Sequence, residues 1–269
     1  MVGGAPIAEH AAGMKSPILF VHGMFMTGRS WAPWVERFER AGHRCAAPSW
    51  PGRDGPAAAL RASPDPALRT LTLDAVVDQL ASEAQRMGEK PVIIGHSMGG
   101  LVAQILLSRG LGRLGVAIDS APPLGVRSLA WSHLRANAPV LWPGSAPIVP
   151  TLESWRYAFW HTGSDDEVRA AFEEHVVPES RLVGRGPIGR EGAVDFGAAR
   201  PPLLMIAGEL DHIIPASLNR ANAARYDAAR APTTLVELKG RTHYLCGQPG
   251  WEEVADTAMR WIDETGARA

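Results

Sequence analysis

Pro91-Val92-Ile93-Ile94-Gly95-His96-Ser97-Met98-Gly99-Gly100-Leu101-Val102 changes character sharply at its centre. Val92-Ile93-Ile94 is a short, continuously apolar run bounded by Pro and Gly, the pattern of a strand buried on both faces. From Gly99 to Gly110 the pattern is that of an apolar helix. Between them, Gly95-x-Ser97-x-Gly99 has the spacing of a sharp strand-to-helix turn that lifts a serine to its apex. Glycine suits both flanking positions because a side chain there would collide with the adjoining strand or helix. The helix N-terminus after Ser97 offers unpaired N–H groups and positive potential to a developing oxyanion. A plain turn with a capping serine is the competing explanation. The pattern is short enough to arise by chance in a chain with 28 glycines, so its weight comes from the strand before it and the helix after it.

The same alternation extends in both directions. Pro17 to Gly23 reads as a buried strand ending at a glycine, and Trp31 to Ala41 as a helix. Arg44 to Ser49 is a weaker strand closed by Trp50-Pro51-Gly52, and a Pro-rich loop runs from Asp54 to Pro66. Thr72 to Met87 is helical, with Leu73, Val76, Val77, Leu80 and Ala84 on one face and Asp74 in the first turn, where the helix dipole favours it. Strands follow at Val116–Asp119, Leu203–Ala207 and Thr233–Leu238, and helices at Ala216–Ala229 and Trp251–Thr265. Strands alternating with helices imply an α/β fold, a mostly parallel sheet covered by helices on both faces. Between Pro122 and Arg200 the alternation fails. That stretch holds a Trp-bearing segment (Leu129–Leu141), a second segment (Thr151–Trp160) and a helix whose Ser164 and Glu167 have capping-box spacing. The division expected is a core of residues 1–122 and 201–269, with a helical cap, residues 123–200, inserted between core strands.

A length of 269 residues suits one large domain, and 46% hydrophobic with 20% charged residues is an ordinary globular composition. A net charge of −1 points away from nucleic-acid and anionic-membrane partners. Two cysteines, Cys45 and Cys246, do not make a disulfide framework, although one bridge is open to them, and they suit a reducing cytosol. Met1 to Ser16 has no apolar run of signal-peptide length, and no stretch approaches a membrane span. The expectation is a cytoplasmic monomer or small homo-oligomer. Two G-x-G-x-x-G patterns are rejected as dinucleotide sites. Gly110–Gly115 ends a helix and enters a strand, the reverse of the required order, and Gly184–Gly189 carries Pro187 at its centre. The nine His and two Cys have no close ligand spacing, so neither metal nor other cofactor is expected.

A serine nucleophile needs a general base, and the base an orienting carboxylate. Asp211, in Gly208-Glu209-Leu210-Asp211-His212, follows one strand, and His243, in Gly240-Arg241-Thr242-His243-Tyr244, follows the last. The chain order Ser, acid, His is the one associated with a serine on such a turn. Asp119 also ends a strand and is the alternative acid. Glu209 and His212 read as neighbours, His22 as structural, and His96 as pointing away from Ser97. His43, His133, His161 and His175 read as surface or cap residues. The backbone N–H groups of Met24, after His22-Gly23, and of Met98 are the expected oxyanion donors. Five aromatic residues, Trp131, Trp142, Trp155, Phe159 and Trp160, fall in the insertion. Most would pack it onto the core. Trp131, Trp155 and Trp160, with Phe25, are the candidates to line an apolar substrate pocket.

His22-Gly23, Gly95-His96-Ser97-Met98-Gly99-Gly100, Gly208-Glu209-Leu210-Asp211-His212-Ile213-Ile214-Pro215 and Thr242-His243 together resemble the α/β-hydrolase superfamily in its esterase and lyso-lipase-like branch, over roughly Pro17 to Ile262. The resemblance implies a Ser97–Asp211–His243 triad, an oxyanion hole from Met24 and Met98, a cap over the site and a small-molecule ester substrate without a cofactor. Two departures stand out. Few residues precede the first strand, which implies a sheet shortened at that edge. Ser49-Trp50-Pro51-Gly52-Arg53 lacks the Asp that relatives often carry before Pro-Gly. Other chemistries on this fold remain open: a cofactor-free oxygenase, a perhydrolase or a lyase, and a ligand receptor without catalysis.

Overall fold

A computed structural model describes residues 15–53 and 55–267. The stretch read above for a leader lies outside them up to Met14, as does Asp54 at the start of the Pro-rich loop. Six strands, β1 (Lys15–Val21), β2 (His43–Ala46), β3 (Val92–His96), β4 (Leu114–Ile118), β5 (Leu203–Gly208) and β6 (Thr233–Leu238), form one parallel sheet in the order β2-β1-β3-β4-β5-β6. The order reverses between β1 and β3: the chain first steps from β1 to β2, then crosses back to β3 and continues outward. A reversal of this kind opens a crevice at the carboxyl ends of the two central strands. Gly23 and Ser97 stand there, because Val21 is in register with Gly95.

The continuous apolar runs of the strands separate into two alternating sets. Ile18 and Phe20, with Val92 and Ile94, face a core built with α1 (Ala32–Arg40) and the last helix. Leu19, Val21 and Ile93 face the other way, onto α3 (Leu73–Arg86) and α4 (Met98–Ser108). Burial on both faces explains why a two-residue period is invisible in the sequence. All five apolar positions singled out on α3 are buried, and Thr72 caps its first turn by accepting from the Ala75 N–H. Ahead of α3 the Pro-rich loop contains a short helix, α2 (Ala57–Ala62), which its flanking prolines concealed from the sequence reading.

The stretch between β4 and β5 carries α5 (Trp131–Leu141), α6 (Leu152–Phe159), α7 (Asp165–His175) and α8 (Arg181–Arg185). Reciprocal capping boxes start α6 at Thr151/Ser154 and α7 at Ser164/Glu167. After β5, α9 spans only Ala216–Ala223. The pattern had suggested a helix to Ala229, but the chain turns so that Tyr226 can enter the core, where its hydroxyl donates to Gln104 Oε1 at 2.7 Å. α10 (Trp251–Gly266) closes the fold. His43, expected at the surface, is buried, and its Nδ1 donates to the Ser16 carbonyl at 2.8 Å. Both cysteines are free thiols, and no described helix is long and apolar enough to cross a membrane.

The first core centres on Trp34, which is fully buried among Phe20, Trp31 and Phe38 and donates from Nε1 to the Cys246 carbonyl at 2.9 Å. Trp34→Ala is expected to destabilise the fold by about 3–5 kcal/mol, the usual cost of emptying a buried aromatic site. Urea unfolding should register this as a lower midpoint with an unchanged slope.

Candidate active site

Ser97 has φ 57° and ψ −120°, a conformation costly for a residue with a side chain. Its surroundings leave no alternative. A Cβ on Gly95 would fall inside the Gly99 carbonyl, and one on Gly99 inside the carbonyl of Val21, so the turn closes only with glycine at both positions. The Ser97 N–H donates to Ile118 at 2.9 Å, and its carbonyl accepts from Ala121 at 2.9 Å, which locks the apex between β3 and β4.

At that apex, Ser97 Oγ lies 2.9 Å from His243 Nε2, and His243 Nδ1 lies 2.6 Å from Asp211 Oδ2. Asp211 Oδ1 accepts from the backbone N–H groups of Ile213 (2.6 Å) and Ile214 (2.8 Å). Burial opposes charge on this carboxyl, but the His243 imidazole, the Ile214 amide and the neighbouring Asp119 outweigh it and hold Asp211 below the usual range. A charged Asp211 fixes the proton of His243 on Nδ1 and leaves Nε2 to accept from Ser97. The structure thus brings together the three residues taken from the sequence, with Asp211 rather than Asp119 in contact with the imidazole.

Residues the sequence reading set aside turn out to hold this arrangement in place. His96 points away from Ser97 as expected, yet its Nε2 donates to the His243 carbonyl at 2.8 Å and so fixes the backbone of that loop. Phe159 sets its ring edge-on to the imidazole at 5.0 Å, and its carbonyl accepts from the Tyr244 N–H. His22 donates from Nδ1 to Gly23 (2.8 Å), accepts at Nε2 from the Trp50 N–H (3.2 Å) and stacks on the Trp50 ring. Burial pushes both His22 and His96 down to about 3, assisted by Arg53 at His22 and by His243 at His96. Both imidazoles are therefore neutral.

Met24 and Met98 share the rim of one cavity with Ser97. Met98 opens α4, so its N–H precedes the helical ladder and is free to face that space. The loop carrying Met24 continues into Phe25, at φ 65°, whose two backbone groups are both engaged by the insertion. Its N–H donates to Glu179 Oε2 at 3.3 Å, and its carbonyl accepts from Val177 at 2.9 Å. Glu179 is wholly buried and paired with Arg53, which also donates to the Pro178 carbonyl. The turn Ser49 to Arg53, which departs from the related pattern, therefore braces the loop beside Ser97. Arg53 and Glu179 carry no motif; their roles depend on contacts 126 residues apart in the chain.

The cavity has a volume of about 340 Å³ and mainly apolar walls, among them Phe25, Trp155, Phe159, Val140, Ile148 and Ile213. Of the aromatic candidates, Phe25 and Trp155 line it. Two others do not. Trp131 is 75% exposed on the outer face of α5, and Trp160 is buried behind the wall against Tyr244, with ring centroids 5.3 Å apart. Phe159 takes the place those two were expected to fill, because α6 turns it towards His243. His133, expected as a surface or cap residue, reaches the cavity wall and donates from Nδ1 to the Ile213 carbonyl at 2.6 Å. His161 and His212 stack face to face at 3.8 Å beside the Asp211 loop.

The sequence matches the alpha/beta hydrolase family over residues 18–257, and the chain belongs to that family. No curated protein matches it. Among solved structures, the monoacylglycerol lipase of Paleococcus ferrophilus superposes with a TM-score of 0.65 at 20% identity, covering 93% of this chain and 96% of the lipase. An esterase from Thermogutta terrifontis superposes at 0.68 and 19% identity, covering 94% of this chain and 91% of its own. A protein described as a putative non-heme bromoperoxidase from Mycobacterium tuberculosis superposes at 0.68 and 18% identity, with 94% of each chain covered. At these identities the likeness is one of fold.

Glu179→Ala leaves the Arg53 charge buried without its partner, and should cost about 3–5 kcal/mol in unfolding free energy. Glu179→Gln keeps an acceptor for the Phe25 N–H and should cost less. For the two neutral histidines, the unfolded chain binds protons near pH 6.5 while the folded one does not until about pH 3. Their contribution is complete above pH 6.5 and is lost as the pH falls, by about 2 kcal/mol each between pH 6.5 and 5. Urea midpoints measured over that range should fall, and less steeply in His22→Gln.

Proposed function

We propose that this chain is a serine esterase that cleaves small to medium, largely apolar carboxylic esters through an acyl-enzyme on Ser97. The observation that carries the reading is the continuous hydrogen-bonded line Ser97–His243–Asp211, opening from a strained turn into an apolar cavity. In the first half-reaction His243 Nε2 takes the Ser97 hydroxyl proton as Oγ attacks the ester carbonyl. The N–H groups of Met24 and Met98 receive the negative charge that develops on the carbonyl oxygen. His243, now imidazolium and stabilised by Asp211, passes its proton to the departing alkoxide, which leaves as the alcohol. Water enters, gives its proton to His243 and attacks the acyl-enzyme carbonyl. The proton then returns to Ser97 Oγ as the carboxylic acid departs.

Residues 123–200 act in this reading as a cap whose inner wall, with Phe25, Trp155 and Phe159, selects the acyl or alcohol portion. A cavity of about 340 Å³ lies at the lower end of the range for small-molecule sites, which favours modest esters over bulky ones.

Nitrophenyl esters of increasing acyl length test the proposal directly. Hydrolysis should rise with chain length and then fall once the cavity is filled. Ser97→Ala should lower kcat by several powers of ten, and a phosphonate should label the wild-type protein at Ser97 with parallel loss of activity. Full activity in Ser97→Ala, or turnover that survives labelling, would exclude the mechanism.

A further inference from the structure

Asp119 is a buried acid that the proposed reaction does not use. It follows β4 directly, is completely inaccessible, and has φ 40°, in the left-handed region that residues other than glycine seldom occupy. Its N–H donates to the Ile206 carbonyl at 2.7 Å, and its Oδ1 accepts from the Gly208 N–H at 2.7 Å. Gly208 belongs to the end of β5, from which the chain proceeds to Asp211, so these bonds aim the Asp119 carboxyl at the Asp211 loop. Asp119 Oδ2 is buried and receives no N–H or hydroxyl. The carboxyl that acts on it is Asp211: each of the two acids shifts the titration of the other, and Asp119 Oδ2 is left as an orphaned buried oxygen beside the triad.

Two buried carboxylates in contact cannot both be charged; a proton must bridge them. The hydrogen bonds decide where it sits. Asp211 already accepts from His243 Nδ1 and from the Ile213 and Ile214 amides, all of which favour the carboxylate. Asp119 accepts from a single amide. The proton therefore belongs on Asp119 Oδ2, pointing at Asp211. The two acids are driven apart in the same sense: burial and then the charge of Asp211 push Asp119 well up, while Asp211 is held down.

Resting on the triad reading above, we propose that Asp119 is a positioning residue, a neutral carboxylic acid that donates a hydrogen bond to Asp211 and thereby limits how strongly Asp211 draws a proton onto His243. The other titratable groups gathered around this pair are His96 at the end of β3, His243, Cys246 three residues beyond it, and the stacked His161 and His212 beside the Asp211 loop, of which His161 is held below its ordinary value by burial. His96 is neutral, and burial pushes the Cys246 thiol up, so neither contributes a competing charge. Ligating atoms of His96, Asp119 and His243 lie within 4.8 Å of one another, so a change of charge on Asp119 is felt at the imidazole. The consequence is a base that remains unprotonated, and so usable, to a lower pH than Asp211 alone would permit.

The test is an NMR titration of the His243 ring in wild type, Asp119→Asn and Asp119→Ala, paired with the acid limb of kcat/KM on a nitrophenyl ester. The Asn amide still donates to Asp211, so Asp119→Asn should titrate within about 0.3 pH unit of wild type. Asp119→Ala removes the donor and should move both the ring titration and the acid limb upward by about one pH unit. A structural role for Asp119 alone would leave both midpoints in place, and coincidence of Asp119→Ala with wild type would overturn the proposal. A downward shift in Asp119→Asn would overturn it as well, since it would mean that Asp119 carries a charge in the native protein. If the alanine variant does not fold, Asp119→Leu, which fills the space of the Asn side chain without a donor, takes its place: an upward shift supports the proposal and an unshifted midpoint overturns it. The ring titration needs no substrate, so it still reads if the esterase assignment fails, an outcome recognised separately by the absence of any turnover.

Discussion

The close approach of backbone to backbone beneath Ser97 is the constraint on which the rest of the molecule depends. The first turn of α4 lies against the carbonyl of Val21 on β1, and the end of β3 lies against the carbonyl of Gly99. Van der Waals contact at those two places sets how far Ser97 rises above the sheet. It also places the free amides of α4 beside the loop after β1. Because β1 and β3 flank the reversal in strand order, the same contact puts Ser97 at the one crevice a sheet of this topology provides. The acid and the imidazole can then be delivered by separate loops after β5 and β6, since every parallel strand ends at the same side.

Around this point the protein separates charge from neutrality by hydrogen-bond supply rather than by exposure. His22, His96, Asp119, Asp211 and Glu179 are all buried. Asp211, given donors in quantity, is held below the usual carboxylate range; Glu179 is pushed up by burial even with the Arg53 guanidinium and the Ser180 and Phe25 amides against it; and His22 and His96, each bonded to one carbonyl, stay neutral. Burial penalises every charge in the same way, so the number and kind of bonds at each group decides its state.

The sheet, the turn at Ser97 and the order of Asp211 and His243 were all legible in the sequence. Each is written locally, as an apolar run, a glycine spacing or a loop placed after a strand. The shortfalls have a common physical origin. α2 was hidden by its prolines, and α9 ended early because Tyr226 is recruited by Gln104, more than a hundred residues away in the chain. Phe25 and Trp155 reach the cavity, whereas Trp131 and Trp160 do not, because the facing of a helix in the insertion depends on what it packs against. Arg53 and Glu179 were invisible for the same reason: neither sits in a pattern, and only tertiary contact joins them. His96 was correctly read as turned from Ser97, but its bond to the carbonyl of His243 could not be inferred from spacing.

The insertion is tied to both loops that flank Ser97. Phe25 gives its N–H to Glu179 and receives Val177, while Ile213 receives His133 and His212 meets the carbonyl of Tyr157. The segment between β4 and β5 is therefore no interchangeable lid. Transplanting it onto a related scaffold, or replacing it with another, would carry away these supports of the loops on either side of Ser97. A working chimera would have to take Arg53 from the core along with residues 177–179, together with loop residues that offer a carbonyl to His133, as Ile213 does, and donate to the Tyr157 carbonyl, as His212 does. Variation in substrate preference on this scaffold is more readily reached by exchanging side chains on the inner wall than by recombining whole segments.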